Sequence, residues 1–265
     1  MGRLPVVDAA NNASPSSGNE PTPAQYQQTL YDRYVSGFKG NLGGGSGGTE
    51  SREVWWDHKY LPLLAGLERS TPILEIGCGS GDLLAYLARR GFSGGLGIDI
   101  SAEQIGLAQA RHPGVRVERR DALEYLGEHQ AAFGAILAID VLEHFAKSDL
   151  LNLAGLLLAA LRPGGRLLIQ TANGAGLFPR QVIYGDLTHE TILTPQSLSQ
   201  LLRTVGFANL SFYETGPIPI RLRGKLDTAL WAAIKFAASA IRRIETGKRE
   251  TIWTENFICL AFKPG

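Results

Sequence analysis

Three glycines at alternating positions, Gly77, Gly79 and Gly81, follow the apolar run Ile73-Leu74-Glu75-Ile76 and precede an amphipathic segment that opens at Asp82. A strand that hands over to a helix through such a turn lets backbone approach a ligand closely and aims unpaired helix N-terminal amides at it. Asp99 stands at the end of the next apolar run, in Gly97-Ile98-Asp99-Ile100-Ser101, where an acid accepts hydrogen bonds from a ribose diol. The dinucleotide pattern places its third glycine at position 82, and the acid found there, Asp82, repels a pyrophosphate at a helix mouth. Together these residues point to an adenosyl ligand that carries no phosphates.

Proton chemistry has two candidate carriers. His144 closes the run Ile139-Asp140-Val141-Leu142-Glu143-His144, and His189 lies in Tyr184-Gly185-Asp186-Leu187-Thr188-His189-Glu190. Imidazole ordinarily titrates near about pH 6.5, which suits removal of a proton from a hydroxyl. The loop after the fifth apolar run belongs at the mouth of a parallel-sheet site, so His189 is the preferred base or substrate-orienting residue, with Asp186 as its partner. Asp140, Glu143 and His144 also have the composition of a divalent-ion site, but their spacing does not show that they converge, and no metal is expected. His58, His112 and His129 fall on segments read as surface and receive no role. Cys78 sits inside the glycine turn with no base beside it and is read as packing rather than as a nucleophile.

These residues need a scaffold that brings strand ends together. Strand-like runs occur at 73–76, 95–98, 115–118, 133–139 and 166–170, with helical patterns at 53–69, 82–90, 102–111 and 150–161. Strands apolar on both faces, alternating with helices, indicate a parallel sheet covered on both sides. A helix at 195–205, a strand at 209–214, a long amphipathic helix at 222–244 and a strand at 256–262 complete the chain. The expected fold is α/β, a doubly wound and mostly parallel seven-stranded sheet of Rossmann-like type, with a helical insert before the last strand.

The 265 residues suffice for one core with appendages, and 26 Lys and Arg against 25 Asp and Glu give no field that draws the protein to nucleic acid. Two cysteines exclude a disulfide scaffold, and no apolar run reaches the roughly 18 residues of a membrane span. Residues 1–25 lack an apolar signal segment and are expected to be a disordered leader in a cytoplasmic protein. Residues 26–52 combine an aromatic helix (Tyr26, Tyr31, Tyr34, Phe38) with seven glycines in the twelve positions 37–48, a linker or a movable lid. The core is expected over 53–214, the insert over 215–255 and the final strand over 256–265.

The stretches LEIGCGSGD (74–82), GIDIS (97–101), RDAL (120–123), AFGAILAIDVLEHF (132–145) and LRPGGRLLIQTAN (161–173) occur in the order and spacing of one family. In them the chain resembles the class I S-adenosylmethionine-dependent methyltransferases, across about 100 residues of the core. The resemblance implies S-adenosyl-L-methionine as cofactor, with Glu75, Gly77, Gly79 and Gly81 around its methionine moiety and Cys78 within the same turn. It further implies Asp99 and Ile100 at the ribose, Asp121 with the Ala122 amide at the adenine edge, and Ala138, Ile139 and Asp140 near the amino group.

Members that methylate base amines carry an Asn- or Asp-Pro-Pro-aromatic tetrad where this chain has Asp140-Val141-Leu142-Glu143, so a hydroxyl or an activated carbon is favoured as acceptor. The DVLEH run is similar to that of small-molecule O-methyltransferases, including those of quinone synthesis. The Asp-x-Thr-His segment resembles methyltransferases of polysaccharide gene clusters. The expected activity is methyl transfer to a hydroxyl of a saccharide or another small metabolite, by in-line displacement with a histidine base. A quinone or polyketide acceptor, or a non-catalytic adenosyl-binding module, are the alternatives. The insert carries Arg221, Arg223, Lys225, Lys235, Arg242, Arg243, Lys248 and Arg249. Its helix can serve as a lid, as a homodimer contact, or as a peripheral membrane contact through 221–245.

Overall fold

A computed structural model of the chain describes residues 23–34, 36 and 49–265. Within them, Ile73–Ile76 (β1), Gly95–Asp99 (β2), Val117–Arg119 (β3), Phe133–Ile139 (β4), Leu161–Ala172 (β5), Ala208–Glu214 (β6) and Asn256–Phe262 (β7) form one sheet in the order β3-β2-β1-β4-β5-β7-β6. β7 runs antiparallel to both neighbours, β5 and β6, while the pairings from β3 through to β5 are parallel. The fold is therefore the doubly wound, mostly parallel seven-stranded sheet expected. β1 and β4 are hydrogen-bonded neighbours although two other strands separate them in the chain. The chain thus leaves β1 toward one edge of the sheet and returns on the other side of it, and the crevice outside such a reversal is where open α/β sheets bind ligands.

Helices on both faces explain why the central strands are apolar throughout. All four residues of β1 are buried. On one face Ala122–Gly127 (α5), Leu150–Ala160 (α6) and Pro195–Val205 (α8) close a core around Leu126, Leu153, Leu157, Leu198 and Leu202. On the other, Thr49–Lys59 (α2) and Asp82–Arg89 (α3) pack Trp56, Tyr60, Leu83, Tyr86 and Leu87 on the sheet. Ala102–Arg111 (α4) is capped by Ser101. Thr194 and Ser197 form a reciprocal capping box that starts α8, and Gly206 ends it in the left-handed conformation, a position that favours glycine.

Four local expectations change. The helical pattern read over 53–69 stops at Lys59 and gives way to a 3-10 turn at Leu61–Leu64, because Pro62 has no amide hydrogen and its ring clashes with the preceding turn. β5 begins at Leu161 rather than 166, across an irregular register with β4. α5 and Arg180–Tyr184 (α7), of 6 and 5 residues, are too short to show a helical period. The expected leader lies outside the described residues except for its last three positions, which open the helix Pro23–Asp32 (α1). The glycine run at 37–48 lies outside them entirely.

The final addition is Arg221–Thr246 (α9), which intervenes between β6 and β7 and buries no residue.

Candidate active site

The turn from β1 into α3 is held by side chains of the neighbouring strand ends. Gly77 has φ +63°, and a Cβ on it would stand 2.5 Å from Cγ2 of Val141, so only glycine lets the turn lie this close to the end of β4. Asp99 at the tip of β2 accepts from the Gly79 amide at 2.9 Å and from the Ser101 amide at 2.8 Å. One carboxylate thereby fixes the glycine turn and the entry to α4. Glu75 is buried in β1, and its Oε2 has no hydrogen-bond partner. Burial, then the charges of Asp99 and Asp82, push its carboxyl well above the ordinary glutamate range. An unsatisfied buried carboxyl oxygen costs free energy, and a cationic ligand group beside it removes that cost.

These residues border a cavity of about 760 Å³, within the usual size range of small-molecule sites. Thirteen residues expected in the site line it: Glu75, Gly77, Cys78, Gly79, Asp99, Ile100, Asp121, Ala122, Ile139, Asp140, His144, Asp186 and His189. Gly81 and Ala138 do not. A Cβ on Gly81 would lie 3.2 Å from that of Ala108, so this glycine serves the close approach of α3 to α4. Ala138 is wholly buried inside β4, paired with Ile76 and Ile169. Cys78 packs with Leu84 and Ile105, and burial pushes its thiol up, away from the reactive thiolate. Asp121 caps α5, its Oδ1 accepting from Leu123 and Glu124 amides at 2.8 and 3.0 Å.

Two sequence readings are corrected here. Asp82 does not present a bare charge at the helix mouth, because Arg52 at 2.9 Å, His112 at 2.8 Å and Ser80 at 3.1 Å surround its carboxylate. Burial raises this acid, but the hydrogen bonds from His112 and Ser80, with Arg52, bring it net below the ordinary range. His112 is consequently a half-buried partner of the glycine turn rather than a surface residue.

The second correction concerns the proton carriers. Asp186 is joined to His144 through Thr188, and its side chain is not hydrogen-bonded to His189. Its Oδ1 accepts from the Thr188 hydroxyl at 2.6 Å and amide at 2.9 Å, while Oδ2 accepts from the Tyr34 hydroxyl at 2.7 Å. Burial pushes Asp186 up, yet these bonds and the nearby His144 outweigh it and hold the acid ionised below the usual carboxylate range. Thr188 Oγ1 is also 2.9 Å from His144 Nδ1, and the Thr188 carbonyl is 3.2 Å away. The hydroxyl's one proton goes to Asp186 and a carbonyl only accepts, so Nδ1 carries the imidazole proton and Nε2 is the nitrogen able to take another. The His189 ring stands edge-on to that of His144, centroids 4.9 Å apart, and its buried Nδ1 has no hydrogen-bond partner.

Backbone geometry sets His144 in place. Asp140 adopts φ +53°, uncommon for a residue with a side chain, and its carboxylate accepts from Gln170 Nε2 at 3.1 Å. The chain then turns through a 3-10 segment, Leu142–His144. The amides of Glu190 and Thr191 donate to the Glu143 carbonyl at 2.8 and 3.0 Å, which docks the Thr188 loop on this turn. Glu143 itself is buried and accepts from the Thr171 hydroxyl. Asp140, Glu143 and His144 are thus committed to different partners, and no group of three or more His, Cys, Asp or Glu is arranged to hold a metal ion among the described residues.

Tyr31 of α1 and Tyr34 just beyond it also line the cavity, with ring centroids 6.1 and 6.4 Å from that of His144. Burial first, then Asp186, raises both phenols, so both stay protonated. The sequence showed these aromatics only as a helix beside the glycine run and did not place them at the cavity. Thr188 was visible only as the third residue of Asp-x-Thr-His.

A family model described as "Methyltransferase domain" matches residues 50–211. The chain is 27% identical over 220 residues to a ubiquinone biosynthesis O-methyltransferase of Xylella fastidiosa, covering 72% of this chain and 82% of that protein. It is 30% identical over 149 residues to the Aeromonas salmonicida protein of the same name, covering 51% of this chain and only 61% of that relative's length. Among solved structures, a SAM-dependent methyltransferase from Archaeoglobus fulgidus superposes with TM-score 0.61 at 19% identity, covering 89% of this chain and 99% of that one. The Haemonchus contortus phosphoethanolamine N-methyltransferase 2, solved with S-adenosyl-L-methionine, gives 0.56 at 17% identity over 89% of this chain and 60% of its own. At these identities the two structures speak for the fold.

Proposed function

Because the chain belongs to the class I S-adenosylmethionine-dependent methyltransferases, we propose that it transfers a methyl group to a hydroxyl, with His144 as the base. The residues present suit the cofactor: Glu75 offers an unused buried oxygen, and the glycine turn offers backbone at close range. On this reading Glu75, Gly77 and Gly79 hold the methionine end, Asp99 and Ile100 the ribose, and Asp121 with Ala122 the adenine. When bound, S-adenosylmethionine supplies an already activated methyl group, which leaves positioning and proton removal to the protein.

The observation that carries the reading is Thr188 Oγ1 within 2.6 Å of Asp186 and 2.9 Å of His144. Nε2 of His144 takes the acceptor's hydroxyl proton. The imidazolium so formed is stabilised through Nδ1–H, Thr188 and ionised Asp186. His189, preferred as base on sequence grounds, here orients the acceptor. Tyr31 and Tyr34 wall the acceptor side and exclude water.

Four rings, those of Tyr31, Tyr34, His144 and His189, bound this part of the cavity. Such walls favour a flat, ring-bearing hydroxyl compound of the kind a quinone pathway provides over the saccharide first expected. The test is S-adenosylhomocysteine release with catechols, simple phenols and monosaccharides offered in parallel. Turnover confined to saccharides would reject the ring-acceptor reading, and tight cofactor binding without turnover on any of them would favour the non-catalytic module.

A further inference from the structure

α9 has two unlike faces. One docks: Trp231 Nε1 donates to the Glu214 carboxylate at 3.3 Å, Lys235 pairs with the same carboxylate, and Ser239 bridges the Glu250 carbonyl and the Trp253 indole at 3.0 and 2.9 Å. These residues recur every four positions, so they mark one stripe. The opposite stripe carries Leu222, Leu226, Leu230, Phe236, Ile241 and Ile244, which are 54–87% exposed. At 26 residues the helix runs about 39 Å. An apolar stripe of that length left open on a folded protein marks an interaction surface.

Charge decides what covers it. Residues 221–249 hold eight of the chain's 26 cations and two of its 25 carboxylates, so the rest of the molecule is net acidic; of the eight, Lys235 is engaged by Glu214 at the docked face. Both carboxylates face cations of the same helix, Asp227 with Arg223 and Glu245 with Arg242. A second copy seated on this stripe meets like charge in either direction: antiparallel pairing sets Arg242 and Arg243 against the partner helix's basic start, and parallel pairing sets each cation beside its twin. An anionic lipid surface satisfies both the stripe and its cations. No helix among the described residues is long and apolar enough to cross a membrane, so the helix lies in the surface.

The placement also fits the site. β6 ends at Glu214 at the same end of the sheet where β7 begins at Asn256, a residue that lines the active-site cavity. α9 follows from that end of the sheet. We infer that α9 is a membrane-surface helix that seats its Leu222–Ile244 stripe among the headgroups of an anionic bilayer, with the catalytic cavity's rim beside the lipid.

Co-sedimentation of the full chain with phosphatidylcholine vesicles, with and without roughly one-third phosphatidylglycerol, tests this. Partition into the anionic vesicles at low salt, and much less into the neutral ones, is expected. Leu230→Glu with Phe236→Glu should abolish it, and Arg223→Gln with Lys225→Gln, which flank the open stripe, should weaken it roughly 30-fold. These side chains are exposed, and far-UV circular dichroism confirms that the variants fold. Equal partition into neutral vesicles, or none into either, overturns the inference. So does a dimer by light scattering that Leu230→Glu with Phe236→Glu turns into monomer, which assigns the stripe to a second copy. Sedimentation reads lipid contact without methyl transfer, so this test stands apart from the choice of acceptor.

Discussion

The two halves of the cavity are assembled in different ways. On the cofactor side, Glu75, Gly77, Gly79, Asp99 and Asp121 come from three successive strand-to-helix turns, and much of what they present is backbone: the Gly79 and Ser101 amides on Asp99, and the start of α5 over Asp121. On the acceptor side the contacts join distant segments through side chains. His144 meets Thr188 across 44 residues, and Asp186 meets Tyr34 across 152. A half built from contiguous turns and glycine geometry tolerates little change in type, whereas one built from side chains can exchange partners while the fold persists. Damage to the first should therefore fall on cofactor affinity, and damage to the second on turnover.

The largest separation is expected at His144. His144→Ala removes the proposed base and should lower kcat by roughly 10²–10⁴-fold, with the cofactor dissociation constant nearly unchanged by calorimetry. His189→Ala, the competing assignment, should raise KM more than it lowers kcat. The reverse ranking of the two variants would return the base to His189 and dissolve the Asp186–Thr188–His144 chain as a catalytic unit.

Asp99→Ala probes the other half. It removes a buried-edge carboxylate that holds two backbone amides and is proposed to meet the ribose. A loss of about 1.5–3 kcal/mol of cofactor affinity is expected, as for a charge-assisted hydrogen bond. At saturating cofactor kcat should largely recover. A kcat defect that saturation does not repair would mean that the two halves are mechanically coupled through the glycine turn.

The same contrast explains what could be read from the chain alone. The sheet and most of its helices follow from apolar periodicity, and the half of the cavity proposed for the cofactor follows from a local motif, since the groups that line it sit next to the glycines that shape them. The exceptions there are packing effects: Gly81 answers to Ala108 on another helix, and Ala138 faces the core. The acceptor side was only partly legible. Asp186 and His189 stand three residues apart and suggest a pair, but the side chain that Asp186 meets is that of Thr188, and from there His144. Tyr34 reaches the site only through tertiary packing of α1, which no spacing in the sequence encodes. α9 was legible as a basic amphipathic helix. Which stripe docks depends on Glu214 and Trp253, residues outside it.

Thr188→Val tests the link at intermediate strength. Valine keeps the volume and removes the hydroxyl that both Asp186 and His144 use, so about 1.5 kcal/mol, the lower end of the worth of a hydrogen bond to a charged group, should appear as a kcat decrease on the order of 10-fold. Cofactor affinity should not move. Tyr34→Phe, which removes a different bond to Asp186, should cost less. If Tyr34→Phe proves the more damaging of the two, Asp186 acts by holding α1 over the cavity rather than through the histidine.

The smallest effect belongs to the cofactor half and concerns stability. Burial, followed by Asp99 and Asp82, raises the Glu75 carboxyl well above its ordinary value of 4.5. Above that pH the unfolded chain has released this proton while the folded chain keeps it, so the folded state binds more protons and stability falls as pH rises through the window. Glu143, raised by burial and by Asp140, adds to the trend with the same sign. Glu75→Gln removes the titration from one of the two sites. The cofactor-free variant should melt roughly 2–4 °C higher than the parent at pH 8, as for about 1 kcal/mol in a chain of this size, and the gap should close toward pH 4.5. Added S-adenosylmethionine should reverse the order, because a cationic ligand favours the ionised form of Glu75, which glutamine cannot supply. A variant that melts lower than the parent at every pH, with cofactor affinity intact, would place Glu75 in the packing of β1 and remove it from the binding site.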